Sequence, residues 1–143
     1  MIDWVESVKR DLREYMDKQD AVGAMRDAIE QLDTALTGVG SALKGDTPVR
    51  GGGDANDKWL DTIIRKNEML IDLVSTEARL RHIASAMAGL SDSERDILDK
   101  RYIHPLPISE ICELMHLESA QVYRRSNQAL RRLAIRMYGD GAR

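Results

Sequence analysis

Apolar residues recur at Val5, Val8, Leu12, Tyr15/Met16, Val22, Met25, Ile29, Leu32 and Leu36. Spacings of three and four describe one stripe along a helix, here from about Asp3 to Leu36, with a break at Gln19 and a weaker one at Gly23. At a rise of about 1.5 Å per residue such a helix is on the order of 50 Å long, too long for a small globule to cover. It therefore needs a partner helix. A second stripe, through Leu60, Ile63/Ile64, Leu70, Leu73/Val74, Leu80, Ile83/Ala84 and Met87, predicts one from about Asp57 to Ala88. The intervening "TGVGSALKGDTPVRGGGDAND" holds six of the ten glycines and one of the three prolines. Almost nothing apolar there offsets the entropy of ordering it, so a flexible connector is expected over residues 37–56. Two long helices joined this way most simply fold back as an antiparallel coiled-coil hairpin. Its core would be thin, to be steadied by a second copy of the chain or by the C-terminal domain, and a homodimer is expected.

After Gly89 the elements shorten. Ser91 and Glu94 in "SDSE" have the spacing of a capping box, which starts a helix expected to reach about Ile103. Pro105 biases His104 out of the helical region and ends it. Pro107 suits a first helical position, where its missing N–H is unpaired anyway, and predicts a helix from about Pro107 to Met115. A turn over His116–Glu118 and a last helix from about Ser119 to Tyr138, closed by Gly139, complete the chain. The fold class is all-α: a helical hairpin over residues 1–89, then a small C-terminal helix-turn-helix domain over residues 90–143.

Composition narrows this picture. The 143 residues are 43% hydrophobic and 31% charged, with no Phe, which suits a soluble helical protein with an aliphatic core. No apolar run approaches the roughly 18 residues of a membrane span, and the charged start "MIDWVESVKR" lacks a signal-peptide core. A cytoplasmic location follows, and the single Cys112 excludes an internal disulfide. The net charge of −3 is unevenly spread: residues 1–89 carry 12 Lys+Arg against 16 Asp+Glu, whereas residues 90–143 carry 9 against 8. From Ser119 to Gly139 there are five arginines and no acid. Local charge decides whether a phosphate backbone is attracted.

Two helices joined by a short turn, the second one basic, outline a helix-turn-helix. Ile108, Ile111, Cys112 and Met115 form one apolar face, Leu117 plugs the turn, and Val122, Ala129, Leu130 and Leu133 face back. Through "LSDSERDILDKRYI" and "ISEICELMHLESAQVYRRSNQALRRL" the sequence resembles region four of bacterial sigma factors over about 45 residues. The shared features are Leu90–Arg95, Arg101–Tyr102, Glu110–Ile111, Val122 and Ala129–Leu130. A long hairpin ahead of such a domain is similar to phage and prophage transcriptional regulators of the ArpU/RinA type. The chain departs from the motif at His116, where glycine is usual, and at Glu118, where a Ser or Thr cap is common; Ser119 is expected to take over the capping.

The resemblance places Ser119, Ala120, Gln121, Tyr123 and Arg124 at base edges in the major groove of double-stranded DNA, and implies RNA polymerase as a further contact. Gln121 can pair bidentately with adenine and Arg124 with guanine, while Ala120 can touch a thymine methyl. Arg125, Asn127, Gln128 and Arg131 are assigned to phosphates. Arg132 and Arg136 lie elsewhere around the helix, as solvating residues or phosphate contacts. Trp4 and Trp59 read as hairpin packing, and the acidic pairs Asp92/Glu94 and Asp96/Asp99 as exposed helix positions.

His104, Cys112 and His116 are too few for a structural zinc, which normally takes four ligands. "GGGD" lacks the lysine and strand of a phosphate loop. No cofactor, metal or catalytic residue is expected, and the chain reads as a non-enzyme: a sequence-specific transcription regulator, expected to be a homodimer. Two other readings stay open, a phage DNA-packaging recognition subunit, which calls for a high-order ring, and a helical interaction adaptor, which calls for no salt-resistant DNA affinity.

Overall fold

The computed structural model describes residues 2–43 and 53–139. Among them all regular structure is helical: α1 (Trp4–Arg13), α2 (Tyr15–Leu43), α3 (Gly53–Ala88), α4 (Asp92–Leu98), a π-helical segment (Asp99–Ile103), α5 (Ile108–Met115) and α6 (Ser119–Tyr138). Helix extends into both ends of the expected connector, and residues 44–52 lie outside the described residues.

The chain divides into two compact units, residues 20–78 and residues 1–19 with 79–143. The first is the antiparallel hairpin. Val22 and Ile29 are buried on its α2 side, Arg26 bonds Glu77 at 2.7 Å, and Asp33 pairs with Lys66. Partners that descend along α3 as they ascend along α2 fix the antiparallel direction.

The second unit holds the main core. Val8 and Leu12 of α1, Ile83 and Ala86 of α3, and Leu90 are buried together with Ile97, Leu98, Tyr102, Ile111, Val122, Ala129, Leu130, Leu133, Ala134 and Met137. Helix α6 is the hub, packing on α1, α4 and α5. Residues 1–19 and 79–89, which pattern alone assigns to the hairpin, thus share a core with the C-terminal helices.

The single helix expected from Asp3 to about Leu36 is interrupted at Glu14 (φ −89°, ψ −4°), and α2 runs on through Gln19 to Leu43. Backbone bonds from Glu14 N–H to Arg10 O and from Lys18 N–H to Glu14 O bridge the irregularity, both at 2.9 Å. The interruption closes α1, the helix that packs on α6. Trp4 is corrected likewise: it stacks on Tyr138 at the end of α6, ring centroids 4.5 Å apart. Beside this stack Asp11 is only 1% exposed, and its Oδ2 accepts the Tyr138 hydroxyl at 2.9 Å. Burial first, then that bond to a carboxylate, pushes the Tyr138 phenol above its ordinary value.

Two arginines close the end of α3. Arg136 Nε donates to Ala86 O at 3.0 Å, and Arg95 donates to Ala88 O at 3.2 Å and to Leu90 O. Cations there satisfy orphan carbonyls and oppose the negative end of the helix dipole. Gly89 leaves the space the Arg136 guanidinium occupies, since a Cβ would fall 1.9 Å from its Cζ.

Candidate nucleic-acid interface

The frame of the helix-turn-helix starts at the capping box. Ser91 Oγ accepts the Glu94 amide at 3.2 Å, and Glu94 Oε1 accepts the Ser91 amide at 3.0 Å. The same Oε1 meets Arg132 Nη1 at 2.9 Å, so Glu94 is half-buried and bridges α4 to α6 rather than solvating an exposed position. Burial opposes ionisation of this carboxyl, but the Ser91 backbone and hydroxyl and then Arg132 outweigh it and hold Glu94 below its ordinary value. A depressed carboxyl contributes stability that is present above its unfolded-state pKa and lost as pH falls through the folded-state one. Acid titration of stability over that window should therefore be shallower in Glu94→Gln than in the native chain.

The helix opened by this box ends in the π-helical segment, where His104 N–H reaches Asp99 O at 2.8 Å and Leu106 N–H reaches Lys100 O at 2.9 Å. Widening this turn carries Tyr102 into the core at 3% exposure and aims Arg101 at α6. The Arg101 guanidinium lies 5.0 Å from the Tyr102 ring centroid and 4.8 Å from that of Tyr123. It also donates to Ser126 Oγ at 2.6 Å, and Ser126 Oγ donates to Tyr123 O at 3.0 Å. Tyr123 is thereby pinned along one flank of α6, still 45% exposed. This placing of Tyr123 by Arg101 was not legible in the pattern, because Tyr123 and Ser126 lie on another helix.

Pro107 (φ −57°, ψ 146°) stands just outside α5 as its flanking residue, and the helix begins at Ile108. The extended ψ places Pro107 before the first turn instead of in it. At the other end His116 takes the left-handed conformation (φ 56°, ψ 46°), and Leu117 N–H bonds Cys112 O at 3.1 Å. This six-to-one bond around a left-handed residue is a Schellman closure. A side chain in that region costs roughly 1–2 kcal/mol, so His116→Gly is expected to raise stability by about 0.5–1 kcal/mol after the added chain entropy of glycine. Thermal unfolding monitored by circular dichroism checks this.

The expected cap at Ser119 is not what opens α6. Glu118 (φ −79°, ψ 157°) is the capping residue, and Gln121 Oε1 accepts its amide at 3.1 Å. A side chain three residues into the helix can reach back in this way whatever the cap residue, which removes the need for Ser119. Gln121 keeps its amide N–H donors for another partner.

Along α6, Val122, Ser126, Ala129, Leu130, Leu133, Ala134 and Met137 are buried. Opposite them Ala120, Arg124, Asn127 and Arg131 are all exposed, at the four-, three- and four-residue steps of one helix face. Among the described residues neither Arg124 nor Arg131 has a carboxylate partner. Ser119 is exposed at the start of the helix. Arg125 and Gln128 sit on the next face and line an open groove with Ser93, Glu94, Ile97 and Met115. That face ends at Arg132, which is held by Glu94, and Arg136 is held by the end of α3. Two of the five arginines thus serve the fold, and the other three have no carboxylate partner among the described residues. The exposed acids of this region, Glu110, Glu113 and Glu118, lie on α5 and the turn, so the outward face of α6 is basic without interruption.

Among the described residues no three His, Cys, Asp or Glu side chains are grouped to hold a metal, and no helix is long and apolar enough to cross a membrane. Comparison with curated proteins found no match, and comparison with solved structures found none. Residues 86–134, which run from the end of α3 through most of α6, match the family model of sigma-70, region 4, and this part of the chain is accordingly similar to a family of helix-turn-helix DNA-binding domains.

Proposed function

We propose that the protein is a sequence-specific, non-enzymatic transcription regulator of phage or prophage type, acting in the bacterial cytoplasm. Residues 90–143 bind DNA, and the hairpin, residues 20–78 of the span 1–89 expected from pattern, serves oligomerisation or partner contact. The observation that carries this reading is the outward face of α6, where Arg124 and Arg131 are exposed and, among the described residues, without a carboxylate partner on the second helix of a helix-turn-helix. A major groove about 12 Å wide admits such a helix. Ser119, Ala120, Gln121, Tyr123 and Arg124 meet base edges from its first turns. Arg125, Asn127, Gln128 and Arg131 hold phosphates and fix the register, which carries no sequence information itself. RNA polymerase is a further partner on this reading.

Fluorescence anisotropy with a mixed-sequence duplex over a range of salt tests it. Three to five neutralised phosphates give a log–log slope of about −3 to −4.5, at roughly −0.9 per phosphate. Affinity that is absent at physiological salt would instead favour the interaction adaptor.

A further inference from the structure

Among the described residues, nothing covers one apolar face of the hairpin. On α3, Leu60 is 50% exposed, Ile64 54%, Ile71 69% and Val74 62%, although Trp59, Ile63, Met69 and Leu73 of the same helix are half-buried. The exposed set is therefore a second stripe, distinct from the one turned inward. With Asn67 between Ile64 and Ile71 its steps are four, three, four and three, the spacing of a heptad seam. Ile64 and Ile71 fall at one core position of that repeat, and Leu60, Asn67 and Val74 at the other.

We infer that this stripe is the interface between two copies of the chain, packed in register with each Asn67 opposite its symmetry mate. Three observations select a second copy over another occupant. The first is Asn67 itself, whose carboxamide both donates and accepts. Against an apolar partner it would be left unpaired, whereas across a twofold axis it meets its own complement.

The second observation is area. Exposures of this size on four large aliphatic side chains, with Leu70 alongside at 36%, amount to roughly 500 Å² per copy, so two copies bury about the 1,000 Å² that a specific interface needs. The third is charge. The stripe is flanked by Asp61, Arg65, Glu68 and Asp72, all exposed. That mixed, net acidic border repels duplex DNA and anionic lipid. In an in-register pair, acids on one flank face the apolar flank of the partner, so like charges are not brought together.

This stripe belongs to the hairpin unit and the α6 face to the other, and failure of the stripe as an interface would leave the DNA-binding reading standing. Sedimentation of the full chain should give twice the chain mass for the native protein and the single chain mass for Ile71→Glu, with equal helical content by circular dichroism. Ile71 is exposed, so its replacement does not empty a core. As a second measurement, Asn67→Cys in a Cys112→Ala background should oxidise to a covalent dimer, whereas Asp72→Cys in the same background should not. A native chain that sediments as a monomer, a dimer that survives Ile71→Glu, an open-ended ladder of masses, or equal cross-linking at both positions would each overturn the assignment.

Discussion

Leu12→Ala, a substitution in the N-terminal helix, is expected to destabilise the C-terminal helix-turn-helix by about 2–5 kcal/mol, the range for emptying a fully buried aliphatic site. Leu12 is 0% exposed and shares its core with Leu130, Leu133 and Tyr102. Helix α1 packs on both α6 and the π-helical segment, so the cavity opens under the helix proposed to read DNA. Native-state hydrogen exchange measures the effect locally. The amides of Leu130 and Leu133 should exchange at least about 30-fold faster in the variant, as a loss of 2 kcal/mol or more requires when exchange follows global opening. Unchanged protection in α6 would mean that the helix-turn-helix holds its fold without α1.

The second large effect concerns Arg124 and Arg131, which have no carboxylate partner among the described residues. Arg124→Ala is expected to weaken binding to a preferred site by about 10- to 100-fold, the loss of one bidentate base contact worth roughly 1–3 kcal/mol, and to relax preference at one base pair. Arg131→Ala should weaken all sequences alike and make the salt slope shallower by about 1. Both side chains are exposed, so each variant should unfold within about 0.5 kcal/mol of the native protein. The contrast between the two separates a specifying contact from a positioning one.

Much of the fold was legible because its signals are local. The Ser91–Glu94 box, the stop at His104–Pro105, the apolar faces of α5 and α6 and the strained turn at His116 each depend on residues within one or two helical turns. What escaped depends on partners distant in sequence. The interruption at Glu14 ends α1, the helix that docks on α6. Trp4 and Asp11 find Tyr138, and Arg132 and Arg136 find Glu94 and Ala86. Helical periodicity assigns such residues to a face but not to a partner. The candidate interface was legible as a basic helix. Its division into structural and free arginines was not, because Arg124, Arg125, Arg131, Arg132 and Arg136 are alike in sequence and differ only in what stands opposite them.

The sharpest test of the central claim, that the outward face of α6 reads DNA sequence, is selection of bound duplexes from a random pool at physiological salt, with the native chain and Arg124→Ala in parallel. The expected result is one enriched motif for the native chain that is lost or relaxed at a single base pair in the variant. No enrichment by a folded native chain, or the same motif at the same strength from both, would contradict it.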